Sequence, residues 1–219
     1  MNMDDKNRAL LVEGLEELGL PAGDEVVGKL TAYAGLLAKW NKVFNLTSVD
    51  NPHEIITHHL LDSAALLPLL DHYAPGARTI LDVGSGGGLP VIPMAIFHPD
   101  VKIHAVDAVS KKTAFLTQVG IELGLRNFRA MHKRVETIHS SYDVVTSRAF
   151  ASLRNFTDWT QGALAPDGLW LAMKGEYPEA EIAGLDPAVA VLREVVPMRV
   201  PHLAEERHLV VMSKPTDEE

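Results

Sequence analysis

The chain has 219 residues, of which 47% are hydrophobic and 22% are charged, a composition that suits one globular domain with a proper core. It contains no cysteine, which excludes disulfides, thiolate zinc sites and cysteine nucleophiles and fits a reducing compartment. The formal net charge of −9 opposes general attraction to nucleic acid, so any RNA binding must come from local basic clusters. The first residues lack the basic-then-apolar order of a secretory signal, and no stretch approaches the roughly 18 uninterrupted apolar residues of a membrane span. We therefore expect a cytoplasmic protein that makes no membrane contact.

The first part of the sequence predicts helices. Apolar residues recur at intervals of three and four over residues 10–18 and, after a break at "PAGD", over residues 26–40. A third helix is expected to begin at "NP" and to continue through "IITHHLLDSAALLPLL". His58 and His59 are adjacent and point to different faces of that helix, so they make a poor metal pair, and we expect no structural metal. Residues 1–75 are thus predicted to form a helical cap.

From about residue 78 onward, short Val- and Ile-rich runs alternate with helical stretches. The runs are "TILDVG", "KIHAVDA", "NFRAMH", "YDVVTSRA", "LWLAMK" and "RHLVVMS". Strands that alternate with helices predict a mostly parallel sheet covered on both faces. Over residues 190–213, two strand-like runs flank a proline-bearing loop, which predicts an antiparallel edge strand. Residues 76–219 are therefore predicted to form an α/β core that is one compact unit with the cap.

The stretch "LDVGSGGGLP" places glycines at the end of the first predicted strand. Gly84, Gly86 and Gly88 stand before a predicted helix, but Leu89 occupies the last position of the dinucleotide pattern G-x-G-x-x-G, which weakens a nicotinamide reading. The Gly-Lys-Ser/Thr ending of a phosphate-binding P-loop is also missing. What remains is Asp82 followed by alternate glycines, a spacing that lets a ligand lie against bare backbone.

Asp107 ends the next predicted strand. Its carboxylate faces the same crevice as the glycine loop and can accept hydrogen bonds from both ribose hydroxyls of an adenosine ligand. Each hydrogen bond to a charged group contributes roughly 1.5–3 kcal/mol. Alone, Asp107 would be interpreted as a solvated acid at a strand end; the glycine loop upstream favours a ribose anchor.

Three of these stretches together, "LDVGSGGGLP", "VDAVSKKTAFL" and "YDVVTSRAF", resemble the class I S-adenosylmethionine-dependent methyltransferases, whose core is a Rossmann-like, mostly parallel seven-stranded sheet. Nearly the whole chain is similar to one family, RsmG (also called GidB), through "KWNKVFNLTS", "HHLLDS", "SRAFASL", "MKG" and "ERHLVV". The resemblance implies S-adenosylmethionine as cofactor and methylation of guanine N7 in the 530 loop of bacterial 16S rRNA, at nucleotide 527. It also implies 16S rRNA or the 30S subunit as partner. The chain departs from the family pattern at Val91, usually glycine, and at His58, usually arginine.

The family's motif also implies which positions contact the cofactor: Gly84, Leu89, Val135, Glu136 and Arg148. Val135 and Glu136 follow the third predicted strand, where a backbone N–H and a side-chain acceptor can meet an adenine edge; Glu136 is equally well explained as a surface acid at a helix start. Arg148 ends the fourth predicted strand and is assigned the orientation of substrate or cofactor. The alternative for Arg148 is a structural ion pair with Asp82 or Asp143.

The residue types present limit the methyl-transfer chemistry. Cytosine C5 methylation needs a cysteine, and methylation of the adenine amine usually carries Asn/Asp-Pro-Pro-Tyr/Phe where this chain has "TSRAF". Guanine N7 already carries a lone pair, so it needs desolvation and alignment but no general base. Asn45 and Thr47 are further candidates for alignment, and Asp62 either holds the amino acid end of the cofactor or packs its helix.

RNA contact is expected from basic clusters, although a solvated charged face is the ordinary interpretation of such residues. The candidates are Lys39, Lys111, Lys112, Arg134, Lys174 and Arg207. Three alternatives remain open at this point: a methyltransferase for small molecules, one for another RNA, and a nucleotide-binding module without enzymatic activity.

Overall fold

The computed structural model describes residues 4–216. The cap begins with two helices, α1 over Asp5–Glu17 and α2 over Asp24–Phe44. The Asp4 side chain caps α1 by accepting a hydrogen bond from a backbone N–H, and Asn45 ends α2 in the left-handed conformation. The apolar stripes that predicted these helices are their buried faces.

The third helical region differs from the single helix expected. It consists of α3 (Pro52–Glu54), a π-helical segment (Ile55–Leu61), α4 (Asp62–Ala64) and α5 (Leu67–Tyr73). It begins as predicted, because the Asn51 side chain accepts from His53 N at 2.9 Å directly before the proline. Pro68 has no N–H to donate to the preceding turn, which explains the break before α5. π-Helical turns occur frequently at functional sites, and this one contributes to the site described below.

The rest of the chain alternates strands and helices. The strands are β1 (Thr79–Val83), β2 (Lys102–Asp107), β3 (Phe128–His132), β4 (Tyr142–Arg148), β5 (Leu164–Lys174), β6 (Val191–Pro197) and β7 (His208–Ser213). Between them lie α6 (Val91–Phe97), α7 (Ser110–Glu122), a 3₁₀ turn (Val135–Thr137), α8 (Leu153–Thr160) and α9 (Glu179–Ala183).

The seven strands form one sheet in the order β3-β2-β1-β4-β5-β7-β6. Strands β1 to β5 are parallel, whereas β7 pairs antiparallel with both β5 and β6. The predicted mostly parallel seven-stranded sheet is therefore confirmed. The antiparallel strand β7 lies one position inside the edge, because β6 pairs with its outer side.

The two faces of the sheet carry separate apolar cores. Leu11 and Leu37 of the cap share one core with Ile80 of β1, while the next residue, Leu81, belongs to the core on the opposite face. Trp40 packs against the first core, with 5.4 Å between its ring centroid and that of Phe115. The cap is thus built onto the sheet through a shared core. Among residues 4–216, no helix combines the length and the hydrophobicity that a membrane crossing requires.

Candidate functional site

Strands β1, β2 and β4 end at the same edge of the sheet. The chain leaves β1 toward β2 on one side and β4 lies on the other, so the strand order reverses at β1, the point where open α/β sheets bind ligands. A cleft of about 470 Å³ opens there, and we call it the glycine-loop cleft. Its wall includes four residues predicted to contact the cofactor: Gly84, Asp107, Val135 and Glu136.

The three alternate glycines all have positive φ angles, and glycine is needed at each position for a different reason. A Cβ atom on Gly84 would lie 2.3 Å from Phe150 Cδ2, so this glycine lets an aromatic ring approach the backbone at the cleft. Gly86, with φ 54°, has open space around its α-carbon and donates its N–H to Asp107 Oδ2 at 3.1 Å. A Cβ on Gly88 would lie within 3 Å of two core side chains. Gly86 and Gly88 are therefore not part of the cleft wall formed by the described residues, and Leu89 is buried in the core.

Asp107 has a structural role that the sequence did not indicate. Its Oδ2 accepts from Gly86 N at 3.1 Å and its Oδ1 from Val109 N at 2.8 Å, so the carboxylate ties the glycine loop to the turn after β2. Lys112 Nζ lies 3.9 Å from Oδ2. Each carboxylate oxygen has a second lone pair. The geometry therefore leaves Asp107 able to accept from a ribose while it holds the loop in place.

Asp82 is completely buried at the end of β1, directly before two residues of the cleft wall. Within residues 4–216, neither of its carboxylate oxygens has a hydrogen-bond partner. Burial raises the pKa of Asp82 to about 8, because desolvation of the charged form outweighs the opposing effects of the nearby Ser85 hydroxyl and the charge of Arg148. A buried, partnerless carboxylate at this position fits a ligand that brings positive charge, as S-adenosylmethionine does through its sulfonium and ammonium groups.

A second cleft, of about 370 Å³, lies beside the first, and we call it the arginine cleft. Its wall includes His58, Asp62, Arg148, Lys174 and Arg207. Ala149 belongs to both walls and has a φ of 53°, a left-handed conformation that is uncommon for alanine. The two clefts therefore meet directly after the end of β4.

Arg148 is held from the cap. Its Nη1 donates to Asp62 Oδ2 at 2.5 Å and to the carbonyl of His58 at 3.1 Å, and its Nη2 lies 3.2 Å from His59 Nδ1. Arg207 Nε donates to the other Asp62 oxygen at 2.7 Å. The ion pair considered from the sequence thus exists, but its partner is Asp62.

The two acids named as candidate partners of Arg148 have other surroundings. Asp143 accepts instead from the N–H groups of Arg78 and Thr79, at 2.8 and 2.9 Å, whereas Asp82 has the partnerless carboxylate described above. Sequence reasoning could not rank Asp62 among the partners, because 86 positions separate it from Arg148.

The π-helical segment supplies a neutral histidine to this site. Burial and then the charge of Arg148 lower the pKa of His59 to about 4, so its ring is uncharged at neutral pH. His59 Nε2 lies 2.6 Å from Thr47 Oγ1, and the backbone N–H of Thr47 donates to Asn41 Oδ1 at 2.9 Å. Thr47, a predicted alignment residue, therefore positions His59, whereas Asn45 ends α2.

The six predicted RNA-contact residues do not form one patch. They are divided among the arginine cleft (Lys174, Arg207), the glycine-loop cleft (Lys112, Arg134) and the surfaces of α7 and α2 (Lys111, Lys39). Lys174 Nζ is paired with Glu181 Oε2 at 2.8 Å. The two clefts thus carry four of the six candidates.

Comparison with known proteins gives a family. The model of the family described as rRNA small subunit methyltransferase G matches residues 27–210. A relative from Neisseria gonorrhoeae (strain FA 1090) is 49% identical over 213 residues, which cover 97% of this chain and 100% of the relative. A relative from Polaromonas naphthalenivorans (strain CJ2) is 47% identical over 206 residues, covering 91% of this chain and 92% of the relative. Both are named ribosomal RNA small subunit methyltransferase G.

Solved structures are similar in fold. TrmN from Thermus thermophilus is 16% identical, with a TM-score of 0.54 over 73% of this chain and 53% of its own. Coclaurine N-methyltransferase, solved with N-methylheliamine and SAH, is 11% identical, with a TM-score of 0.53 over 88% of this chain and 73% of its own. At these identities the likeness shows the fold alone, which confirms the predicted Rossmann-like methyltransferase architecture.

Proposed function

Since the chain belongs to the rRNA small subunit methyltransferase G family, we propose that it transfers a methyl group from S-adenosylmethionine to N7 of a guanine in the 530 loop of 16S rRNA. The observation that carries this proposal is the junction of the two clefts at Ala149. The glycine-loop cleft places the acids Asp107 and Glu136, which suit the hydrogen-bond donors of the cofactor, beside the basic Lys112 and Arg134. The other has arginine and lysine side chains that suit RNA.

In this proposal the glycine-loop cleft holds the cofactor, which supplies a methyl group on a positively charged sulfur. Gly84 offers bare backbone, Asp107 accepts from the ribose, and Val135 with Glu136 faces the adenine. Asp82 compensates the positive charge of the ligand, since it is the buried acid that lacks a partner in the described chain.

The arginine cleft then orients the acceptor. Arg148 keeps its charge near neutral pH, so it cannot remove a proton, and guanine N7 requires none. A guanidinium has five N–H donors, of which the contacts with Asp62, His58 and His59 use at most three. We assign the remaining donors of Arg148 to the acceptor nucleotide and to the alignment of N7 with the methyl group.

The partner is 16S rRNA, free or within the 30S subunit, and a ribosomal substrate makes the cytoplasm the working compartment. Four candidates on the cleft walls are proposed to meet RNA phosphates: Lys112, Arg134, Lys174 and Arg207. Lys39 and Lys111 are proposed to extend this contact beyond the junction, as the basic clusters predict.

The test is methyl transfer from labelled S-adenosylmethionine to 16S rRNA and to 30S subunits that lack modifications, followed by mapping of the labelled nucleotide. We expect label at N7 of one guanine in the 530 loop. A metabolite mixture and an unrelated RNA serve as control acceptors. Label in a metabolite, in another RNA or at another nucleotide would contradict the proposed substrate. A rise in melting temperature with nicotinamide cofactor but not with S-adenosylhomocysteine would contradict the cofactor.

A further inference from the structure

Phe150 stands where the two clefts meet. It follows Ala149, which belongs to both walls, and it comes two residues after β4 ends at Arg148. Ala149 has a left-handed backbone conformation. Arg148, before it, lies on the wall of the arginine cleft, and Phe150, after it, lies on the wall of the glycine-loop cleft. Phe150 was not among the residues selected from the sequence, because an aromatic residue after a strand ordinarily indicates core packing.

The ring of Phe150 is only partly buried. It lies against the bare α-carbon of Gly84, since a Cβ there would be 2.3 Å from Phe150 Cδ2. Two further rings hold it in near-perpendicular contacts, Trp159 with centroids 5.9 Å apart and Phe156 at 6.5 Å. A large aromatic side chain is thus fixed on the wall of the glycine-loop cleft.

The acceptor chemistry explains why an aromatic ring would be needed at this junction. Guanine N7 reacts without a general base, so the protein contributes mainly by desolvating the base and fixing its orientation. Every nucleobase has a flat π-face, and aromatic side chains are the usual surfaces on which extruded bases stack. Among the described residues that line the two clefts, Phe150 and Trp159 are the ones with benzenoid rings. Of these two, Phe150 is the residue next to Ala149.

We propose that the acceptor guanine stacks on Phe150, between the cofactor in the glycine-loop cleft and the charged groups of the arginine cleft. This assignment rests on the proposed function, and it adds a base-stacking residue to that function. The ring excludes water from one face of the base, and its fixed contacts with Phe156 and Trp159 set the plane in which N7 is presented.

The test compares Phe150→Leu with Phe150→Tyr. Leucine keeps an apolar side chain but removes the ring, and tyrosine keeps the ring. At saturating S-adenosylmethionine, we expect Phe150→Leu to lower kcat/KM for unmodified 30S subunits about ten- to a hundredfold, the range for loss of one stacked base. We expect Phe150→Tyr to stay within about threefold of the wild type on the same grounds. The affinity for S-adenosylhomocysteine, measured by calorimetry, should change little in both variants.

Phe97→Leu is the matched control, because Phe97 is also partly buried but ends α6 near the opposite edge of the sheet. It should methylate like the wild type. The assignment is overturned if Phe150→Leu methylates normally, or if its loss follows a matching loss of S-adenosylhomocysteine affinity. If Phe150→Leu melts early, Phe150→Tyr decides, since a tyrosine variant that binds cofactor but does not methylate also overturns it. Failure of the wild type to methylate both 30S subunits and free 16S rRNA would instead refute the proposed function.

Discussion

Three buried aspartates near the site show how differently one residue type is used. Asp62 binds two arginines, Asp107 accepts from two backbone N–H groups, and Asp82 has no partner in the described part of the chain. Because buried carboxylates are normally compensated, the first two are already satisfied by the protein. Asp82 is the acid that still has to be compensated, and this distinguishes it as the site for a positive charge.

Asp82→Asn should raise stability at high pH. The folded-state pKa of Asp82, about 8, exceeds its ordinary value, so ionisation opposes folding as the pH rises from about 4 to 8. Asparagine cannot ionise, so we expect the variant to melt higher than the wild type at pH 9 and similarly at pH 5. Thermal denaturation at the two pH values measures this. The same variant should bind S-adenosylmethionine more weakly.

Asp143→Asn provides the control of opposite sign. Burial acts to raise the pKa of Asp143, but hydrogen bonds from Arg78 and Thr79 outweigh it and the pKa is lowered. The ionised form therefore stabilises the fold above the ordinary pKa, and this contribution is lost as the pH falls through the lowered value. We expect Asp143→Asn to be less stable than the wild type at pH 9. Equal pH dependence in the Asp82 and Asp143 variants would contradict both assignments.

Arg148→Lys should affect both stability and activity. Lysine keeps the charge but cannot reach Asp62, the His58 carbonyl and His59 together, as the guanidinium does. Loss of charge-assisted hydrogen bonds costs about 1.5–3 kcal/mol. For a chain of this size each kcal/mol lowers the melting temperature by about 2–4 °C. We expect a drop of several degrees together with loss of most methylation of 30S subunits.

Arg154→Lys is the control for that substitution. The Arg154 side chain is 58% exposed, and its carboxylate partners lie 3.7 and 3.9 Å away. Exposed pairs of this kind contribute about 0–1 kcal/mol, so the melting temperature should hardly change. An Arg148→Lys variant as stable and active as Arg154→Lys would show that the branched guanidinium group of Arg148 has no role beyond its charge.

In the glycine loop, Gly88 is required by close packing and Gly86 by its backbone conformation. Gly88→Ala places a Cβ 2.8 Å from Ile92 Cγ1 and 2.9 Å from Leu116 Cδ2, at a φ of 91°. Gly86→Ala, at a φ of 54°, meets no atom closer than 3.7 Å. We expect Gly86→Ala to cost about 1–2 kcal/mol, the strain of a left-handed residue. Gly88→Ala adds overpacking of about 1–3 kcal/mol to such strain.

Denaturant unfolding of the two alanine variants measures the difference. Gly86→Ala should also be the better folded of the two in binding assays, which makes it the cleaner probe of the proposed cofactor site, to which Gly86 is connected through Asp107. If both variants lose the same free energy of unfolding, the packing around Gly88 does not constrain the loop.

The elements that the sequence predicts well are those set by local patterns. The alternation of apolar runs predicts all seven strands, and the asparagine-proline pair predicts where α3 begins. The glycine loop and Asp107 were placed at one crevice for the same reason, because parallel strands end at one edge. Three features depend on contacts between distant segments, and no local pattern encodes them. They are the break of the third helix, the position of β7 between β5 and β6, and the partner of Arg148.

The helical cap packs directly against the glycine loop of the α/β core. Tyr33 of α2 is completely buried, and its hydroxyl donates to the carbonyl of Gly87 at 2.5 Å. A Cβ on Gly87 would also lie 3.2 Å from Leu37 Cδ1. The cap therefore shapes the loop beside the glycine-loop cleft, and we propose that residues 1–75 and 76–219 act as one unit.

Tyr33→Phe tests this connection. The change leaves the ring in place but leaves a buried carbonyl without its donor, which costs about 1–3 kcal/mol. We expect a lower melting temperature and a several-fold weaker affinity for S-adenosylhomocysteine. Tyr73→Phe, at a tyrosine that donates to the exposed Glu194, is the control and should leave the affinity unchanged. Normal affinity for S-adenosylhomocysteine in the Tyr33 variant would show that this contact of the cap does not affect binding at the loop.

The two arginines on Asp62 also bear on how the protein is made. Asp62 is synthesised 86 residues before Arg148 and 145 residues before Arg207, and domains begin to fold from the amino end during translation. Among residues 4–216, strand β6 pairs with β7 alone, so its place in the sheet stays open until residues 208–213 have emerged. The arginine cleft is consequently completed only at a late stage of synthesis. A nascent chain that lacks this part would not yet have the cleft that we propose for ribosomal RNA, although it is still attached to a ribosome.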